Sequence, residues 1–286
     1  MVRSARIQID SFKCPAWTNL IQTVQADFPV YIHFPLRVGP GIKDAIDTET
    51  NQPADWKKVE MLLEQTNTPF VNLHLAPTVE DYPDMPLNTF EPSHSDIVTE
   101  RMIQDVYAVT EVVGPERVIV ENDHAVEGLH LSHSFTPEVI GHVIEETGCG
   151  FLLDVSHAHL AANQLKIDVH EYIRALPVEH IREIHVTGIQ RFEGHWLEAA
   201  QLADADSWII KTFAGKLLEH LPITSEDWDL FEWVLEQVHA GLWGRPWVIT
   251  FEYGGVGPLW EAITDKDVLA DQVPKLWNIV KEGPLD

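Results

Sequence analysis

Cysteine is nearly absent from this 286-residue chain: only Cys14 and Cys149 occur, far apart in sequence. That count offers no thiolate metal cluster and fits a reducing compartment, so a cytoplasmic location is expected. Basic residues are scarce as well. Nineteen Lys and Arg stand against 45 Asp and Glu, a formal charge of −26. So acidic a surface repels phosphate backbones and anionic lipid, which argues against nucleic-acid and membrane partners. No stretch approaches the roughly 18 consecutive apolar residues of a membrane-spanning helix. The N-terminal MVRSARIQID has neither an apolar signal core nor a small-residue cleavage site. Internal repeats and low-complexity tracts are absent too.

What is present is a chain with 45% apolar residues, enough for a full core and of a size that suits one (β/α)₈ barrel. Short apolar runs alternate with segments of helical periodicity, the pattern of repeated βα units. Strands are expected near 5–10, 29–34, 69–74, 117–122, 150–155, 181–186, 215–220 and 246–252. Helices are expected near 14–26, 53–66, 95–113, 136–147, 168–176, 224–240 and 258–280. Thr136-Pro137-Glu138 gives an N-cap, a first-turn proline and an early acid, and Thr224-x-x-Asp227 resembles a capping box. The expected fold class is α/β, a (β/α)₈ TIM barrel spanning 1–286 as a single domain. Two loops stand out: 123–135, with His124, His130 and His133, and 187–214, with QRFEGHW and an acidic, Trp-bearing stretch. Both are expected on the C-terminal face, where such barrels contact substrate, although the three histidines read most simply as solvated loop residues. Ten tryptophans are many for this length; packing between helices and barrel is their simplest use.

Nearly every expected strand ends in His, Asp or Glu: PVYIHF (His33), PFVNLHL (His74), RVIVEN (Glu121), GFLLDVSH (Asp154, His157), IREIHV (His185), KLLEH (Glu219, His220) and PWVITFE (Glu252). With 15 His and 45 Asp and Glu in the chain, a single hit means little, and charge at a strand end also serves ion pairs and caps. Seven in chain order are different. Carboxylates gathered in a dry barrel mouth repel one another unless a cation lies between them, and neutral imidazoles complete its shell. Asp154-x-x-His157 is the best local signal. Glu219 should point away from its neighbour His220 and is read as structural. Glu121, Asp154, His157, His185 and Glu252 suffice for one or two divalent ions, and His33, His74 and His220 extend the set.

At these residues the chain resembles the DUF692 family, the multinuclear non-haem iron-dependent oxidative enzymes, within the xylose isomerase-like barrel superfamily. FLLDVSHAHLAANQLKIDVHEYIRALPVEHIREIHVTG (151–188) is similar to that family's central block. VNLHLAP (71–77), YIHFPLRVG (31–39), VIVEN (118–122), LPITSEDWDLFEWVLE (221–236) and VITFE resemble its other motifs in the right order. The resemblance implies two or three divalent ions, iron favoured and manganese or zinc as other choices, held by His33, His74, Glu121, Asp154, His185, His220 and Glu252. It implies a cysteine-containing peptide or small thiol as substrate, a partner protein that delivers the peptide, and Glu121, His185 and Glu252 as residues of the chemistry. Departures are visible: Ser156-His157 replaces an Asn pair, Leu218 stands where an Asp is expected, and the loop after the sixth strand is much longer. Asp-x-x-His also resembles the sugar isomerases and epimerases of the superfamily, which use one or two divalent metals. A metal-binding barrel without catalysis is the third reading, favoured only by Leu218.

Overall fold

The computed structural model describes residues 1–2, 7–123, 126 and 129–282. By internal contacts the chain forms two units: a larger one of residues 10–184 with 243–248, and a smaller one of 1–9, 185–242 and 249–286.

The larger unit begins with β1 (Phe12–Pro15) and α1 (Thr18–Gln25), then β2 (Val30–His33), β3 (Leu36–Val38) and the short β4 (Ile46–Asp47) and β5 (Gln52–Pro53). It continues through α2 (Trp56–Thr66), β6 (Val71–Leu75), α3 (Pro92–Val113), β7 (Val118–Glu121), α4 (Pro137–Thr147), β8 (Gly150–Asp154), α5 (Val155–Leu165), α6 (Val169–Ala175) and β9 (Ile181–Val186), whose last two residues belong to the smaller unit. β1 pairs in parallel with β2, β3 with β6, β6 with β7 and β7 with β8. Parallel strands covered on both faces are continuous apolar runs, and Val118 to Glu121 are accordingly all buried. Because the strands run the same way, their carboxyl ends share one edge, and the register sets His74 beside Glu121.

In the smaller unit β10 (Gly188–Arg191) pairs antiparallel with β11 (Leu217–Leu221). Gly188 is required there: a Cβ would sit 1.9 Å from the Pro222 carbonyl oxygen. Between these strands lie α7 (Gly194–Asp204) and α8 (Trp208–Phe213), followed by α9 (Ser225–His239), β12 (Val248–Phe251), α10 (Pro258–Ile263) and α11 (Lys266–Glu282). An apolar cluster of Phe192, Ala200, Ile210, Leu218, Leu221, Leu259 and Ile263 holds this region together.

The chain is α/β, with strands and helices following one another in the order of a (β/α)₈ barrel. Several expectations need correction. The first strand is Phe12–Pro15 rather than 5–10, because its partner β2 places Phe12 opposite Val30; residues 5 and 6 lie outside the described residues. A helix unread in the sequence, α5, follows β8 directly, because the Asp154 carboxylate accepts from the Ser156 and His157 backbone N–H groups (2.7 and 2.8 Å) and caps it. Segment 187–214 is a strand and two helices rather than a loop. The span 258–280 is broken between α10 and α11. Thr136 occupies the N-cap position of α4, yet its hydroxyl donates back to the His133 carbonyl. The capping box of Thr224 and Asp227 forms as read. No helix among the described residues is long and apolar enough to cross a membrane.

Candidate metal centre

Five of the eight candidate ligands meet in the larger unit. Glu121, 1% exposed at the end of β7, lies at their centre. Its Oε2 is 3.5 Å from His33 Nε2 and 3.4 Å from His74 Nδ1, while its Oε1 is 3.5 Å from His157 Nδ1. The two strand histidines approach each other to 3.1 Å between Nε2 atoms. Asp154 is fully buried; its Oδ1 caps α5 and its Oδ2 lies 3.7 Å from His157 Nε2. Glu121, Asp154 and His157 bring ligand atoms within 4.8 Å of one another, close enough to share an ion.

Two asparagines unread in the sequence brace this group, one against His33 and one against the Asp154 backbone. Asn72 accepts from the Phe34 N–H (2.7 Å), which fixes its amide so that Nδ2 donates to the Phe34 carbonyl (3.0 Å) and faces His33 Nε2 at 3.1 Å. A donor there requires an unprotonated Nε2 on His33. Asn122 accepts from the Asp154 N–H and donates to the Asp154 carbonyl (both 2.9 Å), joining the ends of β7 and β8. Its own carbonyl accepts from His157 Nδ1 at 2.8 Å, so the neutral imidazole carries its proton on Nδ1 and has its lone pair on Nε2. A backbone carbonyl fixing the tautomer of a ligating imidazole is a recurrent outer-shell device. The visible signal was an asparagine beside each candidate ligand, in NLH and EN.

The other three candidates lie in the smaller unit. His185, fully buried, has Nδ1 3.2 Å from Glu252 Oε1, and Glu252 N–H donates to the Val186 carbonyl (3.0 Å). His220 Nδ1 donates to the Glu252 carbonyl (2.8 Å). His220 has φ of 61°, a left-handed backbone that a non-glycine residue adopts at a cost. That turn breaks strand alternation, so Glu219 does not point away as expected: its Oε1 comes within 3.7 Å of His220 Nε2. Leu218 is buried in the apolar cluster.

The loop histidines are not solvated. His130 and His133 are buried, while His124 lies outside the described residues. His130 Nδ1 pairs with Asp123 Oδ2 at 2.6 Å. His133 Nδ1 donates to the Thr89 carbonyl at 3.2 Å, and burial lowers its pKa from the ordinary value. These contacts belong to a seam between the loops after β6 and β7: Val79 N–H donates to the Leu129 carbonyl (3.0 Å), Ser132 N–H to the Leu87 carbonyl (3.2 Å) and Ser132 Oγ to Asn88 Oδ1 (2.8 Å). Both cysteines are buried, and burial raises their pKa values, Cys149 to about 11. Neither is a ready thiolate.

A buried carboxylate with three imidazoles beside it, near the carboxyl ends of parallel strands, is a group of side chains that could hold a divalent ion. The model of one family, the RiPP precursor modification enzymes MbnB/TglH/ChrH, matches residues 13–239, and the chain belongs to that family. Curated relatives are called UPF0276 proteins. One from Psychromonas ingrahamii is 24% identical over 42% of this chain and 42% of its own length. One from Bordetella bronchiseptica is 24% identical over 54% of this chain and 46% of its own. The chain thus spans about half, or less, of the length of these relatives. Among solved structures, the apo 3-keto-D-glucoside 4-epimerase YcjR of E. coli aligns over 94% of this chain and 100% of its own, at 12% identity and a TM-score of 0.34.

Proposed function

We propose that this chain is a metal-dependent enzyme that oxidatively modifies a cysteine-containing peptide or small thiol, using two or three divalent ions, iron by preference. The observation that carries it is Glu121: its Oε2 lies 3.5 and 3.4 Å from His33 Nε2 and His74 Nδ1, and with Asp154 and His157 it forms a second group whose ligand atoms lie within 4.8 Å of one another. A carboxylate with imidazoles on both edges suits more than one cation, and the nitrogen–oxygen mixture suits iron, manganese or zinc. Membership of a RiPP precursor modification family supports a peptide as the substrate.

The residues fit such ions without rearranging protons. Asn72 faces an unprotonated His33 Nε2, the neutral form of His157 has its lone pair on Nε2, and Asp154 keeps Oδ2 on the His157 side while Oδ1 serves the helix cap. Bound iron would supply thiolate coordination and electron transfer to dioxygen. Burial of Glu121 and Asp154 keeps water away from the donors, which strengthens their electrostatic hold on a cation. In the smaller unit we assign His185 and Glu252 to proton handling, since an imidazole and a carboxylate at 3.2 Å can pass a proton between them. A partner protein that delivers the peptide remains part of this proposal.

Metal analysis with oxygen-uptake measurements tests it. Two or more irons per chain, with dioxygen consumed when a cysteine-bearing peptide is added and not with its serine counterpart, is the expected result. A single manganese or zinc with no dioxygen uptake would overturn the oxidase in favour of an isomerase.

A further inference from the structure

Segment 187–214 builds a feature that the metal chemistry leaves unused. In the smaller unit an open cavity of about 460 Å³ is lined by His195, Trp196 and Ala199 of α7, Ala262 and Ile263 of α10, and the turn Thr264–Lys266. Ile263 in its lining also belongs to the buried apolar cluster with Ala200 and Leu259. The His195 and Trp196 rings stand 4.4 Å apart at its mouth. Positions 195, 199 and 202 fall on one helical face, so the wall continues along α7 to Leu202, which is 91% exposed; Trp208 on α8 is 59% exposed. An apolar face that ends in open leucine and tryptophan side chains is unusual for a surface with no partner.

The charge around it is predominantly negative, although Lys266 stands beside Asp265 in the lining. Residues 193–211 and 258–267 carry seven carboxylates (Glu193, Glu198, Asp204, Asp206, Glu261, Asp265 and Asp267) against Lys211 and Lys266, and all nine are exposed. A neutral or anionic occupant would gain nothing from that rim, whereas lysine or arginine side chains flanking an apolar anchor would be steered to it. The mouth is too open to enclose a small molecule, but it accepts one side chain hanging from a passing chain, the usual arrangement of a buried anchor within a charged rim.

We infer that the α7–α10 cavity is a docking subsite for a basic segment of the peptide substrate, its aromatic or branched apolar side chain seated against Trp196, Ala199 and Ile263. This rests on the peptide reading proposed above.

Fluorescence anisotropy of the full chain with a labelled lysine-rich peptide carrying one central Trp tests it, first in chelator and then with iron. Replacing the peptide's Trp by Ser, or its lysines by Glu, should weaken binding about tenfold or more. Ala199→Trp, which fills the cavity, and Asp265→Lys, on the exposed turn, should each do the same. Glu236→Lys, an exposed charge on α9, should change binding less than about twofold. Circular dichroism checks that each variant folds; Asp265→Lys carries the test if Ala199→Trp does not fold. Equal losses for Glu236→Lys and Asp265→Lys would reduce the effect to general attraction by an acidic protein and overturn the subsite. So would a concentration-dependent dimer that Ala199→Trp abolishes, because the occupant would then be a second copy. Because the first titration runs in chelator, its failure leaves the metal analysis standing, and a negative metal analysis leaves that titration standing.

Discussion

Two buried carboxylates in the larger unit, Asp105 and Glu121, have opposite surroundings. Asp105, on α3, is fully buried and accepts from three backbone N–H groups: Gly39 (3.0 Å) and Gly41 (2.8 Å) on Oδ2, and Lys43 (2.7 Å) on Oδ1. Burial raises its pKa, and those donors work against the rise. It pins the loop after β3, and fixed dipoles supply what water would have given. Glu121 is as deeply buried, but its neighbours are the side chains of His33, His74 and His157, groups that bear lone pairs when neutral. Dipoles of a peptide loop complete a structural anion; neutral imidazoles around an anion would leave room for a cation, as proposed above. Burial alone does not mark a functional carboxylate. The chemistry of its neighbours does.

Substituting each carboxylate should separate the two roles. Glu121→Gln should remove most of the bound metal, read by elemental analysis, with little change in the denaturant midpoint. Asp105→Ala should keep its metal and lose about 3 kcal/mol of stability in chemical denaturation, since buried N–H groups lose an ionised acceptor; the reverse pattern would erase the contrast. Next in size, Leu218→Asp restores the expected acid but places a charge in the apolar cluster, so about 3 kcal/mol of stability should be lost with no gain in metal stoichiometry. Asn122→Ala should weaken metal binding by about 10-fold to 100-fold in competition titrations, by releasing the side-chain clamp that holds the Asp154 backbone beside Glu121, while the backbone carbonyl that meets His157 stays in place. The smallest effect concerns His133. Its folded pKa lies below the ordinary 6.5, so the unfolded chain takes up the proton first as pH falls. Stability is then full above about 6.5 and declines as pH drops through the folded value. His133→Leu should flatten that part of the stability-versus-pH curve.

The strand ends were legible because apolar runs bounded by polar residues are local signals, and parallel pairing does the rest: His33, Glu121 and Asp154 each close a strand. Asp154-x-x-His157 was legible as an acid beside an imidazole and illegible as the start of α5, because one carboxylate faces His157 with one oxygen and caps the helix with the other. Asn72, inside β6, and Asn122, just past β7, passed unnoticed because an asparagine in or beside a strand has no periodic signature; its worth appears only when a neighbouring backbone lies opposite. His130 and His133 were misread because their cover comes from the loop after β6, far away in sequence. Segment 187–214 gave no strong signal, since its helices pack on Leu259 and Ile263, which follow some fifty residues later in the chain.

The seam joining the loops after β6 and β7 has a practical consequence. Thr78 and His130 form a bridge within it, and the Leu87, Asn88 and Thr89 contacts extend it, so the two segments behave as one mechanical part. An insertion, deletion or graft in either loop would shift the footing of the other, and with it Asp123, two residues from Glu121. Redesigning one loop singly should therefore disturb both; exchanging them as a matched pair is the course that leaves the strand ends where they are.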